Sequence, residues 1–116
     1  MRLNHINLTV TSVPDARDFL AKYFELRSIS GAKGNNGFDV LMDDGGLVLT
    51  LMKASREGIH CPATFHIGFG QESDERVNEI YRHLKSDGFD VQPPERRHAW
   101  TFYVQAPGGF TVEVMS

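Results

Sequence analysis

Between residues 3 and 10 apolar and polar side chains alternate. Ile6, Leu8 and Val10 fall on one face; Leu3, His5, Asn7 and Thr9 fall on the other. A period of two predicts a half-buried strand. Ser12-Val13-Pro14-Asp15 then reads as a helix start: Ser12 can cap, Pro14 suits the first turn and Asp15 suits the positive end of the helix dipole. Ala16, Phe19, Leu20 and Tyr23 follow at helical spacing. Residues 26–30 are read as a short strand, and Gly31 to Gly37 as a turn. Phe38 to Met42 and Leu47 to Met52 are read as strands joined around Asp43-Asp44-Gly45-Gly46, a strong hairpin signal.

The second half runs through the same order. Thr64 to Phe69 reads as a strand, with Phe65, Ile67 and Phe69 on one face and His66 and Gly68 on the other. Ser73 can cap a helix whose apolar stripe is Val77, Ile80, Tyr81 and Leu84, ended by Gly88. Phe89 to Gln92 is read as a short strand stopped by Pro93-Pro94. Trp100 to Gln105 and Phe110 to Met115 form a closing hairpin around Pro107-Gly108-Gly109. The predicted order is βαβββ twice, an α+β fold in one domain spanning 1–116: module 1–53, connector 54–63, module 64–116.

The two halves also resemble each other in residues. Asn4-His5-Ile6 returns 61 positions later as Phe65-His66-Ile67. Gly45-Gly46-Leu47-Val48-Leu49-Thr50 returns as Gly108-Gly109-Phe110-Thr111-Val112-Glu113, which sets Thr50 opposite Glu113. A repeat of this length is too long for most solenoids. It suggests two copies of one unit whose curved sheets enclose a cleft.

Composition narrows the function classes. Apolar residues make up 41% and charged residues 23%, as in ordinary globular proteins. A net charge of -3 gives no general attraction to nucleic acid or acidic membranes, and no stretch has the length of a membrane span. The N-terminus enters the strand pattern at once, without a signal-peptide apolar run. Cys61 is the sole cysteine, so an internal disulfide is excluded and a cytoplasmic location is expected.

The polar strand faces carry the chemistry. They hold His5, Asn7 and Thr9; His66 and Gly68; Thr111 and Glu113. A solvated face usually shows long charged runs; these show imidazoles, small polar groups and one carboxylate. Two imidazole nitrogens and a carboxylate suit one divalent ion, Zn, Ni, Mn, Fe or Co, with positions left for substrate or water. A mid-strand His taken singly is more often structural. The equivalent places of His5, His66 and Glu113 in a repeat make those three the candidate metal ligands. His98, Tyr103 and Glu113 are candidate catalytic groups; Asn7, Thr50 and Trp100 are candidate substrate contacts. His60, in the connector, and His83, on a polar helix face, receive no role.

Three segments carry a resemblance to the vicinal oxygen chelate superfamily, which includes glyoxalase I, extradiol dioxygenases, fosfomycin thiol transferases and bleomycin-binding proteins. They are Leu3 to Val10, Phe65 to Phe69, and Phe102 to Glu113. The resemblance covers essentially the whole chain. It implies a glyoxalase-like fold and a divalent metal that chelates two substrate oxygens, serving as a Lewis acid. Ala106 stands where an Asp commonly opens the last turn. Glyoxalase I carries a carboxylate at the place of Thr50, so the resemblance to that enzyme is weakest there. The implied activity is a glyoxalase-like lyase or isomerase acting on a small oxygenated metabolite. An extradiol-type dioxygenase, a thiol transferase and an antibiotic-binding resistance protein without turnover are the alternatives. A homodimer is expected, because open sheet edges invite a partner.

Overall fold

The computed structural model describes residues 1–30 and 36–116. Its elements are β1 (His5–Val10), α1 (Val13–Phe24), β2 (Arg27–Ser28), β3 (Phe38–Met42), β4 (Val48–Lys53), β5 (His66–Gly70), α2 (Asp74–Ser86), β6 (Glu95–Arg96), β7 (Trp100–Ala106) and β8 (Phe110–Met115). The βαβββ order therefore occurs twice. Two compact units result: residues 1–61 with the turn 107–109, and residues 62–106 with 110–116. Neither helix is long and apolar enough to cross a membrane.

Unit one is a four-stranded sheet in the order β1-β4-β3-β2. β1 runs parallel to β4 and the other neighbours are antiparallel. α1 is the crossover that makes the parallel pairing reachable. Its Ser12 cap accepts from the Asp15 amide, and Val13, Ala16, Phe19, Leu20 and Tyr23 are its buried stripe. Against that stripe the sheet buries Leu8, Val10, Leu41, Leu49 and Leu51. The β3–β4 hairpin closes where Asp43 Oδ1 accepts from the Leu47 amide and Gly46 takes φ +84°, a conformation that favours glycine. The expected turn from Gly31 to Gly37 lies mostly outside the described residues; Asn36 and Gly37 form a turn.

Unit two repeats the plan in the order β5-β8-β7-β6. β5 runs parallel to β8, with α2 as the crossover. Ser73 caps α2, and Val77, Ile80 and Leu84 are buried beneath it with Phe102, Val104, Val112 and Val114. Gly88, at φ +93°, closes its C-terminus, with the Phe89 amide donating to the Leu84 carbonyl. The short strand expected at Phe89 to Gln92 does not form. The two-residue strand comes later, at Glu95–Arg96, beyond Pro93 and Pro94. Proline has no N–H for a ladder, so pairing starts where donors return; Val91 and Pro94 are buried as irregular backbone. Ile67 and Phe69 are half-buried, and Phe65 precedes β5 as an exposed side chain.

Asp39 is fully buried on the helix-side face of β3. Its Oδ1 accepts from Ser28, Ser30 and the Val40 amide, while Arg17 of α1 reaches Oδ2 at 3.5 Å. Burial pushes its carboxyl pKa up. The bonds from Ser30, Ser28, the Val40 amide and Arg17 outweigh that, so the group sits below its usual value. A carboxylate depressed in the folded state stabilises fully above its unfolded pKa near 4 and loses that contribution as pH falls through the folded value. Asp39→Asn is expected to cost about 2 kcal/mol in urea unfolding near neutral pH. The gap between variant and native should narrow as acid protonates Asp39; a gap constant from pH 7 to pH 2 would contradict this account.

Candidate functional site

Strand register decides which side chains share a face, because a slip of one residue sends each to the opposite side. In unit one His5 pairs with Val48 and Asn7 with Thr50. In unit two His66 pairs with Thr111 and Gly68 with Glu113. Thr50 thus holds in its sheet the place that Glu113 holds in the other. The face of unit two turned away from α2 carries His66, Gly68, Thr111 and Glu113, and β7 adds Thr101, Tyr103 and Gln105.

Glu113 is the centre of that face. It is 4% exposed, although an isolated strand glutamate is ordinarily solvated. Three groups converge on Oε1: Thr101 Oγ1 at 2.8 Å, His98 Nε2 at 2.8 Å and Tyr103 Oη at 3.0 Å. Oε2 faces His66 Nε2 at 3.2 Å. Burial pushes the Glu113 pKa up; the bonds from Thr101, Tyr103 and His98, with the charge His98 can carry, bring it below the usual carboxylate value. Tyr103 moves the other way. Burial, its bond to Glu113 and that residue's charge push the phenol up, with Arg97 opposing.

The His66 contact has a chemical consequence. Its Nδ1 lies 2.9 Å from the Thr64 carbonyl, which can only accept, so Nδ1 carries a hydrogen. In the neutral ring Nε2 is then a lone pair aimed at a carboxylate oxygen. Two acceptors at 3.2 Å repel unless a proton or a cation lies between them. Two donors each about 2.1 Å from one cation can stand this far apart. The pair therefore suits either a proton, as an imidazolium–carboxylate ion pair, or a divalent cation. The His66 ring is held further by its edge-on approach to Tyr103, with centroids 5.6 Å apart. Gly68, directly opposite Glu113, presents no side chain to Oε2; a Cβ there would meet that oxygen at 3.9 Å, an ordinary contact.

The remaining candidates are distributed as follows. His5, Asn7 and Thr50 share the open face of unit one, His5 with Nδ1 3.1 Å from Asn4 Oδ1 and Asn7 donating to the Met52 sulfur. Trp100 is on the helix-side face of β7, where its indole donates to Asn78 of α2 and Arg96 lies over its ring. Among the described residues no three His, Cys, Asp or Glu side chains are grouped as for a metal. A cavity of about 220 Å³ opens in unit two, lined in part by Gln92, Glu95, Arg97, Thr101 and Tyr103. Thr101, Gly68 and Arg97 were not among the sequence candidates. Alternation along β7 placed Thr101 beside Tyr103 in phase; no pattern marked Arg97, which lies in a turn.

Trp100→Phe should lower stability by about 1 kcal/mol, through loss of the bond to Asn78, and should leave binding at the open face unchanged. Calorimetry with a parallel metal titration checks both; weakened binding would return Trp100 to the site.

A family model described as the glyoxalase/bleomycin resistance protein/dioxygenase superfamily matches residues 2–114. A solved structure of a possible glyoxalase from Bacillus cereus is 53% identical, with a TM-score of 0.91 and coverage of 100% of this chain and 99% of that one. A variant of the fosfomycin resistance protein FosX from Listeria monocytogenes, complexed with Mn(II) and 1S,2S-dihydroxypropylphosphonic acid, is 22% identical, with a TM-score of 0.79 and coverage of 98% and 90%. Lactoylglutathione lyase from Agrobacterium tumefaciens is 17% identical, with a TM-score of 0.75 and coverage of 98% and 92%. No curated protein matches the chain. The chain belongs to the glyoxalase/bleomycin resistance protein/dioxygenase superfamily.

Proposed function

We propose that this member of the superfamily is a metal-dependent enzyme, a glyoxalase-like lyase or isomerase acting on a small oxygenated metabolite. One observation carries the reading: His66 Nε2 and Glu113 Oε2 face each other at 3.2 Å, while His66 Nδ1 is engaged by the Thr64 carbonyl. His66 and Glu113 are two of the ligands. His5 is the third that the repeat assigns, contributed by the same chain or by a second copy in a homodimer. The Mn(II) in the FosX complex supports a divalent ion in this fold.

When bound, such an ion supplies Lewis-acid stabilisation of negative charge on a substrate oxygen. The chain's own residues set the conditions around it. Glu113 brings a buried carboxylate that stays ionised. His66 is oriented by the Thr64 carbonyl. Tyr103, its phenol held protonated, donates its hydrogen to Glu113 Oε1. The cavity of about 220 Å³ beside Thr101 and Tyr103 suits a small molecule.

A second reading is a binding protein without turnover, and Thr50 favours it. A hydroxyl at that place cannot serve as a proton carrier near neutral pH, since its proton is held too tightly. Either way, little turnover of the methylglyoxal–glutathione hemithioacetal is expected from the native protein. Thr50→Glu should tighten metal binding by adding an anionic ligand. Assays of both proteins with Ni, Zn and Mn decide; native activity of a committed glyoxalase would show that Thr50 has been misread.

Metal content is the primary test. Native protein dialysed against Zn, Mn, Ni and Fe(II) should retain one ion per site by elemental analysis, and His66→Ala should lose it while staying folded. Native protein that stays metal-free overturns the reading. Mixed His5→Ala and His66→Ala subunits should regain some metal if the ligands come from two chains, and none if they come from one.

A further inference from the structure

We infer that His98, Thr101 and Tyr103 are positioning residues that commit Glu113 to ligation through a single oxygen, Oε2. The inference rests on the reading that Glu113 holds a divalent cation. It gives His98 and Tyr103 a different role from direct acid–base catalysis.

The argument starts from capacity. A carboxylate oxygen has two lone pairs, and Oε1 already meets three groups within 3.0 Å. Thr101 has one hydroxyl hydrogen and two acceptors in reach, Oε1 and the Val114 carbonyl at 3.0 Å. Tyr103 points its hydroxyl at Oε1. An ionised carboxylate oxygen only accepts, so His98 Nε2 must carry a hydrogen to make its bond. With Oε1 saturated, a cation that used both oxygens would have to displace at least one donor. Oε2 has no such crowd: it faces His66, and Gly68 across the strand pair presents no side chain to cover it.

The backbone explains why the donors hold their places. Tyr103 pairs directly with Glu113 across the β7–β8 ladder, and Thr101 is two residues along on the same face. Thr101 is 3% exposed and cannot swing away into solvent. His98 sits in the tight connection between β6 and β7, fixed by the Arg97 amide donating to the Ala99 carbonyl at 2.8 Å. Two donors on a rigid strand and one on a short turn thus fix the carboxylate's rotation about its last bond. A glutamate free to rotate would sample one-oxygen and two-oxygen ligation and lose entropy on binding.

The probe is Mn(II) alone, titrated into the native chain and into Tyr103→Phe, His98→Ala, His98→Gln and Glu113→Gln. Infrared difference spectra between apo and Mn(II)-loaded protein report, through the carboxylate stretches, whether one oxygen or two is engaged. His98 and Tyr103 are exposed enough for these variants to fold, which circular dichroism checks. Tyr103→Phe and His98→Ala should each weaken Mn(II) about 10-fold and move the spectrum toward the two-oxygen pattern. His98→Gln, which keeps an N–H donor, should restore most of the affinity and the native pattern. If Glu113→Gln binds Mn(II) as tightly as the native chain, the metal reading itself fails. If Glu113→Gln loses Mn(II) while Tyr103→Phe and His98→Ala keep native affinity and spectrum, the metal reading stands and the positioning inference is overturned.

Discussion

In each unit the first strand lies parallel to the last, and the helix and two intervening strands exist to bring the chain back for that pairing. A parallel neighbour cannot be reached by a tight turn, so α1 and α2 must cross over and bury one face of their sheet. The opposite face is thereby left to other uses. Once His66 is paired with Thr111, Gly68 must stand opposite Glu113, and His66 becomes the diagonal neighbour of the carboxylate. The short His66–Glu113 contact follows from register more than from any local loop.

Among the described residues two carboxylates, Asp39 and Glu113, are buried, and they have different partners. Asp39 faces the helix side, and both of its oxygens are taken: Oδ1 by Ser28, Ser30 and a backbone amide, Oδ2 by Arg17. The Arg17 guanidinium, a permanent cation, already balances that charge. Glu113 faces the open side; one oxygen is saturated and the other meets an imidazole whose side chain is 39% exposed. Desolvation acts on both groups, and hydrogen bonds offset it in both. What separates the two carboxylates is the partner of the second oxygen: a guanidinium for Asp39, an imidazole for Glu113.

Much of this was legible in the sequence. The alternation around His5 and His66, the caps at Ser12 and Ser73, and the offset of the two halves gave the elements and paired Thr50 with Glu113, which the two ladders reproduce. Phase along the strands sends Trp100 with Phe102 and Val104 to the helix side, and Asp39 with Leu41 inward. Other features had no local signature. That Thr101, Tyr103 and His98 meet on one oxygen depends on the β7–β8 register and on a three-residue connection, which composition does not encode. The displaced β6 depends on two prolines postponing the ladder rather than ending it.

The duplication also shows where chemistry and scaffold part. The backbone offers equivalent places in both units, yet their occupants differ in kind. Opposite Thr50 stands Asn7, tied to the Met52 sulfur; opposite Glu113 stands Gly68, with no side chain. On unit one's open face the neighbours are Val40, Met42 and Val48, half-buried and apolar. On unit two's they are Thr101, Tyr103 and Gln105. A carboxylate at Thr50 would sit beside Asn7 and Val40 without the three groups that meet Glu113, so only a bound cation would hold its charge in place. Equivalence of place therefore does not confer equivalence of function. A buried charge needs its partners on the adjacent strand, and β7 supplies them where β3 does not.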